Sequence, residues 1–386
     1  MCAVRATAIP ASLSAVAGGV KFRDACFDDY EQIAAVQQRN HLETKPFHEW
    51  EHLWSGNPER EKNPSKPIGF VVEASGGKVV GYTGLIPLSY HFQGRDFAAA
   101  TGWGMSVDAP YRGHTLALIR RVVSPQAAEF LVDASAKPSV ARILDRFLVH
   151  RGVGGRIPAG NWNTAAFWIT NYRGFLKSAL RARGLPSALS EPAACAMWMR
   201  DNWKGTAAWI RAGDERVQQG PDFDERFDQL WDELKLAYPN RWLATRSRKV
   251  LQWHFRFALA ANRLWILTIG DNSRILAYAL FRRQDNPQFG LTRVRLIDFQ
   301  AVNGDHSQLV PMLAWALRRC REEGIHMLEA YGFRPDKQHI IDALAPHRRA
   351  LPAWGFFYAA FEQGLKRQLQ IPDVWDPSHF DGDESL

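Results

Sequence analysis

A short basic loop between two segments of different periodicity is the part of this sequence most able to bind an anion. Arg112, Gly113, His114 and Thr115 follow a largely apolar stretch and directly precede the apolar helical run at residues 116–119. A strand, a turn and a helix start in this order direct unpaired backbone N–H groups at one point, and the helix dipole adds partial positive charge there. Arg112 contributes a full charge, so the loop predicts a site for a phosphate or diphosphate group.

A second candidate is the segment HEWEH, which matches the zinc motif H-E-x-x-H. It would place His48 and His52 on one helix face, with Glu49 as a general base. Glu73 lies at a sequence distance that suits a third ligand. The predicted helix is short, however, because Gly and Pro residues end it, and Glu51 puts a charge inside the motif. We therefore expect an amphipathic surface helix that binds no metal.

Three consecutive strand-like segments lead into the basic loop, at residues 68–73, 79–87 and 98–107. The turns Ser-Gly-Gly and Gln-Gly-Arg-Asp separate them, which is typical of antiparallel hairpins. A further strand at residues 129–134 and a helix at residues 138–147 follow. The sequence therefore predicts an antiparallel meander, then the basic loop with its helix, and then one more strand–helix pair.

At these residues the chain resembles the GNAT superfamily of acyl-CoA-dependent N-acyltransferases. The family signature is Arg/Gln-x-x-Gly-x-Gly/Ala between strand four and the next helix. Arg112 and Ala117 match its two ends, while Thr115 stands where the family usually has Gly. The resemblance implies that strands four and five splay apart to admit the pantetheine arm of coenzyme A, and that the loop binds its pyrophosphate. The cofactor-binding residues implied are Met105, Ser106, Val107, Arg112, Gly113, His114, Thr115, Leu116 and Ala117.

The same resemblance implies a proton acceptor near strand four and, in many members, a tyrosine acid on the helix after strand five. Residues 99–103 hold nothing titratable, and Asp108 is better placed to fix the turn. We take Glu73 as a candidate general base and Tyr172 as a candidate general acid, since Ile and Leu occupy the positions of the family's tyrosine. Other groups that could serve are His41, Glu43 and Tyr82.

The second half of the chain repeats the first. The segment VVGY at residues 79–82 corresponds to ILAY at residues 275–278, and residues 129–134 correspond to residues 325–330. A repeat of this length indicates a domain duplication. The second copy has Asp305 in its loop, where a carboxylate would repel a diphosphate, so we expect one acyl-CoA per chain.

The fold class expected is therefore α/β (α+β), a tandem GNAT fold with two mixed, mostly antiparallel sheets flanked by helices. Its parts would be a flexible leader (1–19), an acyl-CoA-binding domain (20–186), a linker (187–221), a degenerate GNAT-like domain (222–365) and a C-terminal tail (366–386). Residues 162–175 are expected to close the first sheet, and residues 151–160 to form a flexible connector.

Composition describes an ordinary globular chain and limits its partners. The sequence has 386 residues, of which 46% are hydrophobic, and its four cysteines are widely spaced. It has no apolar run long enough for a membrane span. The net charge of +8 is spread along the chain, which an anionic substrate explains more simply than nucleic acid does. We therefore expect a cytoplasmic protein that binds no nucleic acid, with an oligomeric state that the sequence leaves open.

The function expected from the resemblance is transfer of an acyl group, in the first place acetyl, from acyl-CoA to a small-molecule or sugar amine by direct attack. Residues 246–255 (RSRKVLQWHF) also resemble an element of tandem GNAT-like proteins of bacterial polysaccharide and exosortase loci. Two alternatives stay open. One is a non-catalytic acyl-CoA-binding scaffold, and the other is a FemAB-like aminoacyltransferase, which shares the tandem architecture but uses aminoacyl-tRNA.

Overall fold

The computed structural model describes residues 19–136, 138–160, 162–186, 190–203, 215–351 and 355–386, which form two mixed sheets flanked by helices. The flexible leader expected at residues 1–19 lies almost entirely outside these residues. The strands are β1 (Lys21–Asp24), β2 (Gly69–Ala74), β3 (Lys78–Phe92), β4 (Arg95–Val107), β5 (Phe130–Ala136), β6 (Gly154–Arg156), β7 (Thr164–Ile169), β8 (Val217–Gly220), β9 (Leu243–Ala244), β10 (Leu264–Gly270), β11 (Ile275–Arg283), β12 (Arg293–Ala301), β13 (Met327–Ala330), β14 (His347–Ala350) and β15 (Gly355–Ala360).

The helices lie on the faces and edges of these sheets. They are α1 (Tyr30–Arg39), α2 (Phe47–Ser55), α3 (Pro58–Lys62), α4 (Thr115–Val122), α5 (Pro138–Arg151), α6 (Tyr172–Ala182), α7 (Ser190–Trp203), α8 (Arg226–Ala237), α9 (Arg248–Ala260), α10 (Leu309–Glu322), α11 (Pro335–Leu344) and α12 (Gln363–Gln368). None of these helices, within the described ranges, is both long and apolar enough to cross a bilayer.

The first sheet has the order β1-β2-β3-β4-β5-β15-β6, with β9 pairing to β3. Strands β1 to β4 are successive antiparallel neighbours, and for β2 to β4 this is the pairing that the turn residues predict. Gly76 and Gly77 form the β2–β3 turn with φ values of 80° and 78°, a backbone region that favours glycine. Strand β5 then pairs in parallel with β4, so the chain crosses over through α4 between them.

The second sheet, in the order β14-β7-β13-β12-β11-β10-β8, repeats this arrangement. Strands β10, β11 and β12 are antiparallel neighbours, and β13 pairs in parallel with β12 after the crossover through α10. The segments aligned as repeats in the sequence lie in equivalent places, since residues 79–82 are in β3 and residues 275–278 are in β11.

The two sheets exchange their closing strands. Strand β7 pairs with β13 in the second sheet, and β15 pairs with β5 in the first. The expectation that residues 162–175 close the first sheet is therefore wrong. The expected connector at residues 151–160 contains β6, which pairs with β15. Because each closing strand is short and apolar, its own sequence carries no signal for the sheet that it joins.

A single core joins the two sheets. Trp242 stacks on Tyr90 of β3, with ring centroids 5.5 Å apart, and contacts Phe130 of β5 at 4.7 Å. The same buried cluster continues into the second sheet through Ile266 and Tyr278. The C-terminal segment (residues 371–386) is mostly buried from Val374 onward, so the expected tail is part of the folded structure.

Candidate active site

Strands β4 and β5 separate after a short parallel pairing and leave a cleft. Their register joins Ala99 to Phe130 and Thr101 to Val132, and within these described strands it extends no further. Gly104 has a φ of 62°, which bends β4 just beyond the last pair. A cavity of about 110 Å³ lies at this point, between residues 102–105 and β5. The edge of β4 therefore offers peptide groups to an extended ligand.

The basic loop predicted from the sequence follows β4 directly. Ala109–His114 form a 3-10 turn that continues into α4, and the N–H of Thr115 donates to the carbonyl of Arg112. Arg39 donates to both carboxylate oxygens of Asp108, with a shortest N–O distance of 2.7 Å, so Asp108 fixes the turn. Arg112 is exposed and makes no hydrogen bond or ion pair with the other described residues. Its charge is thus available to an anion.

An open cleft of about 850 Å³ lies between α4 and α5 and carries four arginines. Leu116 and Ile143, which are 40% and 41% exposed, give it an apolar wall. Arg142 and Arg146 are four residues apart and so project from one face of α5. A cleft that combines positive charge with apolar surface suits phosphate groups attached to an apolar or aromatic body. We call this the arginine cleft, after the arginines that line it: Arg120, Arg142, Arg146 and Arg151.

Two carboxylates line the cavity beside β4. Asp133 comes from β5 and Asp383 from the C-terminal segment. Ser135 donates its hydroxyl hydrogen bond to Asp383 Oδ2, which ties the segment to β5. The backbone amides of Ser135 and Ala136 lie near Asp133 and favour its ionised form. The Oδ1 atom of each aspartate is buried and has no hydrogen-bond partner in the described structure. Each carboxyl group thus keeps one oxygen without a protein partner.

The surroundings of these two groups favour their protonated forms. Burial raises the pKa of Asp133 to about 6. Burial raises the pKa of Asp383 to about 7, with repulsion from Asp133 as the second cause, while the Ser135 hydrogen bond opposes the rise. Because the two carboxyl groups interact, they titrate as a pair, and both pKa values lie above the ordinary value of an aspartate.

Neither aspartate was identified from the sequence. Asp133 carried a usable signal, since it is the only charged residue in the apolar strand β5. Asp383 carried none, because it lies in a polar acidic stretch far from its partner Ser135 in the chain. The paired arginines of α5 could have been found from their i, i+4 spacing, which places both on one helix face.

The two residues proposed from the sequence for proton transfer lie away from this cavity. Glu73 on β2 accepts a hydrogen bond from Arg23 Nε at 2.6 Å, and Arg23 also pairs with Asp29 at 2.8 Å. Tyr172 begins α6 beside the second sheet and donates to Asp201 at 2.8 Å. The strand exchange explains the position of Tyr172, since α6 follows β7 into the second sheet. The structure therefore brings neither residue together with the basic loop.

The other residues proposed from the sequence for proton transfer are His41, Glu43 and Tyr82, and they lie in different places. His41 and Glu43 are exposed and flank Leu42, which lines the cavity. Tyr82 on β3 is fully buried, its hydroxyl has no partner among the described residues, and burial raises its pKa well above the usual range. A buried neutral phenol of this kind is a poor proton donor to a group outside its own core.

The equivalent opening in the second sheet is filled by the protein's own side chains. Strands β12 and β13 pair only from Arg293 to Arg295. Beyond that point Lys337 of α11 donates to the carbonyl of Phe299 at 2.9 Å and lies 2.7 Å from Asp376 of the C-terminal segment. In the loop before α10, Asp305 accepts hydrogen bonds from Ser307. Lys337 and Asp376 thus lie where β12 and β13 diverge, at the position that corresponds to the β4–β5 cleft.

The two histidines of the HEWEH segment make different contacts. His52 is buried, and its Nε2 lies 3.1 Å from the carbonyl of Trp253. His48 is exposed and packs edge-on against Phe257. Among the described residues no group of histidine, cysteine or carboxylate side chains has the arrangement of a metal site.

Comparison with solved structures identifies the fold. No protein-family model matches the sequence, and no curated protein matches it significantly. A Saccharomyces cerevisiae N-myristoyltransferase with bound myristoyl-CoA aligns with a TM-score of 0.56 at 11% identity, over 98% of this chain and 85% of that chain. The same yeast enzyme with myristoyl-CoA and inhibitors gives 0.54 at 12% identity, over 98% and 87%. A GCN5-related N-acetyltransferase from Kribbella flavida gives 0.51 at 12% identity, over 89% and 71%.

At these identities the likeness concerns the fold. The chain has the mixed α/β GNAT fold, in which two mixed sheets are flanked by helices, and its two-sheet layout is consistent with a tandem arrangement.

Proposed function

We propose that this protein is an acyl-CoA-dependent N-acyltransferase whose acyl-CoA site lies in the first sheet. The observation that carries the proposal is the β4–β5 cleft, which is followed directly by the basic loop and flanked by the arginine cleft. These features would meet the three chemical parts of an acyl-CoA: a thioester on an extended arm, a diphosphate, and a phosphorylated nucleoside.

A different surface of the protein would bind each part of the acyl-CoA donor. The Arg112 guanidinium and the positive end of the helix dipole at the start of α4 would bind the diphosphate, with Gly113 and His114 beside it. The arginine cleft would hold the remaining phosphate, and its apolar wall would contact the nucleoside. The extended arm would run along Met105, Ser106 and Val107 on the edge of β4 and end at the cavity beside Asp133.

The reaction would be direct attack of an amine on the thioester carbonyl. Holding the two reactants in line contributes about 7–11 kcal/mol to a bimolecular step, so positioning in the cleft supplies much of the catalysis. The acceptor would be a small-molecule or sugar amine, and cytoplasmic acyl-CoA would supply the donor. Since Lys337 and Asp376 fill the second opening, one acyl-CoA would bind per chain.

The proposal is tested by donor binding and by transfer in the same preparation. Acetyl-, octanoyl- and myristoyl-CoA should each be titrated while the melting temperature is followed, because a ligand of the native state raises it. At least one donor should raise it, and Arg142→Ala/Arg146→Ala should reduce the shift. Arg367→Ala, which removes an exposed arginine of α12, is the matched control and should leave the shift unchanged.

A panel of alkyl- and sugar amines then tests transfer by release of free thiol. Binding without transfer to any amine would favour the scaffold alternative. Competition for the site by aminoacyl-tRNA, with no shift from any acyl-CoA, would favour the aminoacyltransferase alternative.

A further inference from the structure

We infer that Asp133 and Asp383 form a proton-sharing pair that deprotonates the acceptor ammonium for attack on the thioester. This inference rests on the proposed function and adds to it the groups that move the protons. It also gives the C-terminal segment a chemical role, since one member of the pair comes from each of two distant parts of the chain.

The position of the pair supports this role. Both aspartates line the cavity where β4 and β5 separate, and Gly102, Gly104 and Met105 of β4 line its other side. In the proposed complex the acyl-CoA arm ends at this cavity. The acceptor nitrogen must approach the thioester carbonyl from the space that remains, which is next to the two carboxyl groups.

The hydrogen bonding of the pair leaves one oxygen of each carboxyl group for a shared proton. Asp383 Oδ2 is occupied by the Ser135 hydroxyl, and the backbone amides of residues 135 and 136 favour the ionised form of Asp133. The two Oδ1 atoms are buried and have no partner in the described structure. Buried polar atoms of folded proteins are nearly always hydrogen-bonded, so a proton held between the two carboxyl groups would satisfy both oxygens.

The charges around the pair do not neutralise it. Within the described structure no lysine, arginine or histidine lines this cavity. The nearest other acid along the segment, Glu384, is paired with His379 and Arg295 and adds a small repulsion to Asp383. Asp381 faces away, since it accepts a hydrogen bond from the Tyr90 hydroxyl. An ammonium group in the cavity would therefore be the first cation to reach the two carboxyl groups.

The proton balance of the reaction fits a pair that holds one proton. The acceptor ammonium loses two protons as it becomes an amide nitrogen. The ionised carboxylate takes the first proton, which frees the nitrogen lone pair, and the new C–N bond forms as the carbonyl π bond opens. When the C–S bond breaks, the protonated partner gives its proton to the thiolate. The second nitrogen proton returns to the pair, and one proton leaves to solvent.

The experiment compares two acceptors that differ in their need for a base. The first is the alkyl- or sugar amine that the wild type acetylates fastest, which is protonated at neutral pH. The second is hydroxylamine, which is largely neutral there and needs no proton acceptor before attack. Both are assayed with acetyl-CoA for Asp133→Asn, Asp383→Asn and, as the control, Asp373→Asn, an exposed aspartate of the same C-terminal segment.

The inference predicts that Asp133→Asn and Asp383→Asn each lower kcat for the protonated amine by about 100-fold or more, the usual worth of a general base. Each should lower hydroxylamine transfer much less, because that acceptor needs the pair only after attack, and the retained transfer also shows that the variant folds. The double variant should be no worse than the worse single variant, because the two groups act as one unit. In the wild type, kcat/KM should decrease as the pH is lowered through the pKa of the pair. Each single variant should shift or abolish this decrease.

Three results would overturn the inference. The first is equal loss with both acceptors, which would indicate a structural role. The second is an active wild type whose variants retain transfer to the protonated amine. The third is a wild type that binds acetyl-CoA and acylates no amine, and this result alone would also remove the proposed transfer function.

Discussion

Lys337 Nζ lies 2.7 Å from the carboxylate of Asp376, with both side chains almost completely buried where β12 and β13 diverge. The ion pair occupies, in the second sheet, the place that the first sheet leaves open as the β4–β5 cleft. Breaking a buried pair by removing one partner leaves an uncompensated charge and costs about 3–5 kcal/mol. Lys337→Met should therefore lower the free energy of unfolding by up to about this amount, since Arg241, 3.9 Å away, still faces Asp376.

Urea denaturation of that variant gives the measurement. The control is Lys62→Met, which breaks an exposed pair with Glu59 and should cost no more than about 0.5 kcal/mol. Equal stability of the two variants would show that Lys337 does not fill the second opening as an ion pair.

The Asp133–Asp383 pair should make stability depend on pH in the acidic to neutral range. Their folded-state pKa values, about 6 and about 7, lie above the ordinary aspartate value. A group whose pKa rises on folding contributes stability at low pH that is lost as the pH rises through the folded-state pKa. Asp383→Asn should therefore stabilise the protein at pH 8, by up to about 4 kcal/mol, and the gain should shrink toward pH 4.

Urea midpoints at several pH values, with Asp373→Asn as the reference, measure this difference. A loss of stability that is the same at every pH would show that Asp383 is an ordinary ionised carboxylate.

Gly104 should be required for the shape of β4. Its φ is 62°, and an added Cβ would come within 2.2 Å of Gln37 Nε2, which is buried. Gly94 in the β3–β4 turn has a similar φ of 76° but no atom within 4 Å of an added Cβ. Gly94→Ala should therefore cost about 1 kcal/mol from backbone strain alone, whereas Gly104→Ala should cost more and bend the edge of β4.

Only Gly104→Ala should weaken acetyl-CoA binding, by tenfold or more, as followed by calorimetry. Equal binding by both variants would mean that the edge of β4 does not contact the donor.

Much of the first sheet could be predicted from the sequence because its information is local. Turn residues mark the hairpins from β2 to β4, and the change from strand to helix periodicity marks the basic loop. The exchange of β7 and β15 could not be predicted, because each strand is a short apolar segment that either sheet could bury. Asp383 could not be placed for a related reason, since its partner Ser135 is distant in sequence. Glu73 and Tyr172 remain predictions that activity measurements have to test.

Two substitutions of Gly113 distinguish the effect of charge in the basic loop from the effect of the loop's shape. Its φ is not in the left-handed region, and an added Cβ would meet no atom within 4 Å. Gly113→Ala should therefore fold normally and bind acetyl-CoA within about threefold of the wild type. Gly113→Asp adds a carboxylate beside the proposed diphosphate and should weaken binding by roughly 1.5–3 kcal/mol, the scale of a charge-assisted hydrogen bond. If the two variants bind alike in a calorimetric titration, the diphosphate does not lie at this loop.

The location of the acyl-CoA site is the central claim, and isothermal titration with acetyl-CoA tests it most directly. We predict one site per chain in the wild type and an affinity loss of roughly 1.5–3 kcal/mol in Arg112→Ala, with the stability of that variant unchanged. Arg367→Ala, the exposed control, should bind as the wild type does. Two sites per chain, or one site whose affinity is the same in Arg112→Ala, would contradict the account.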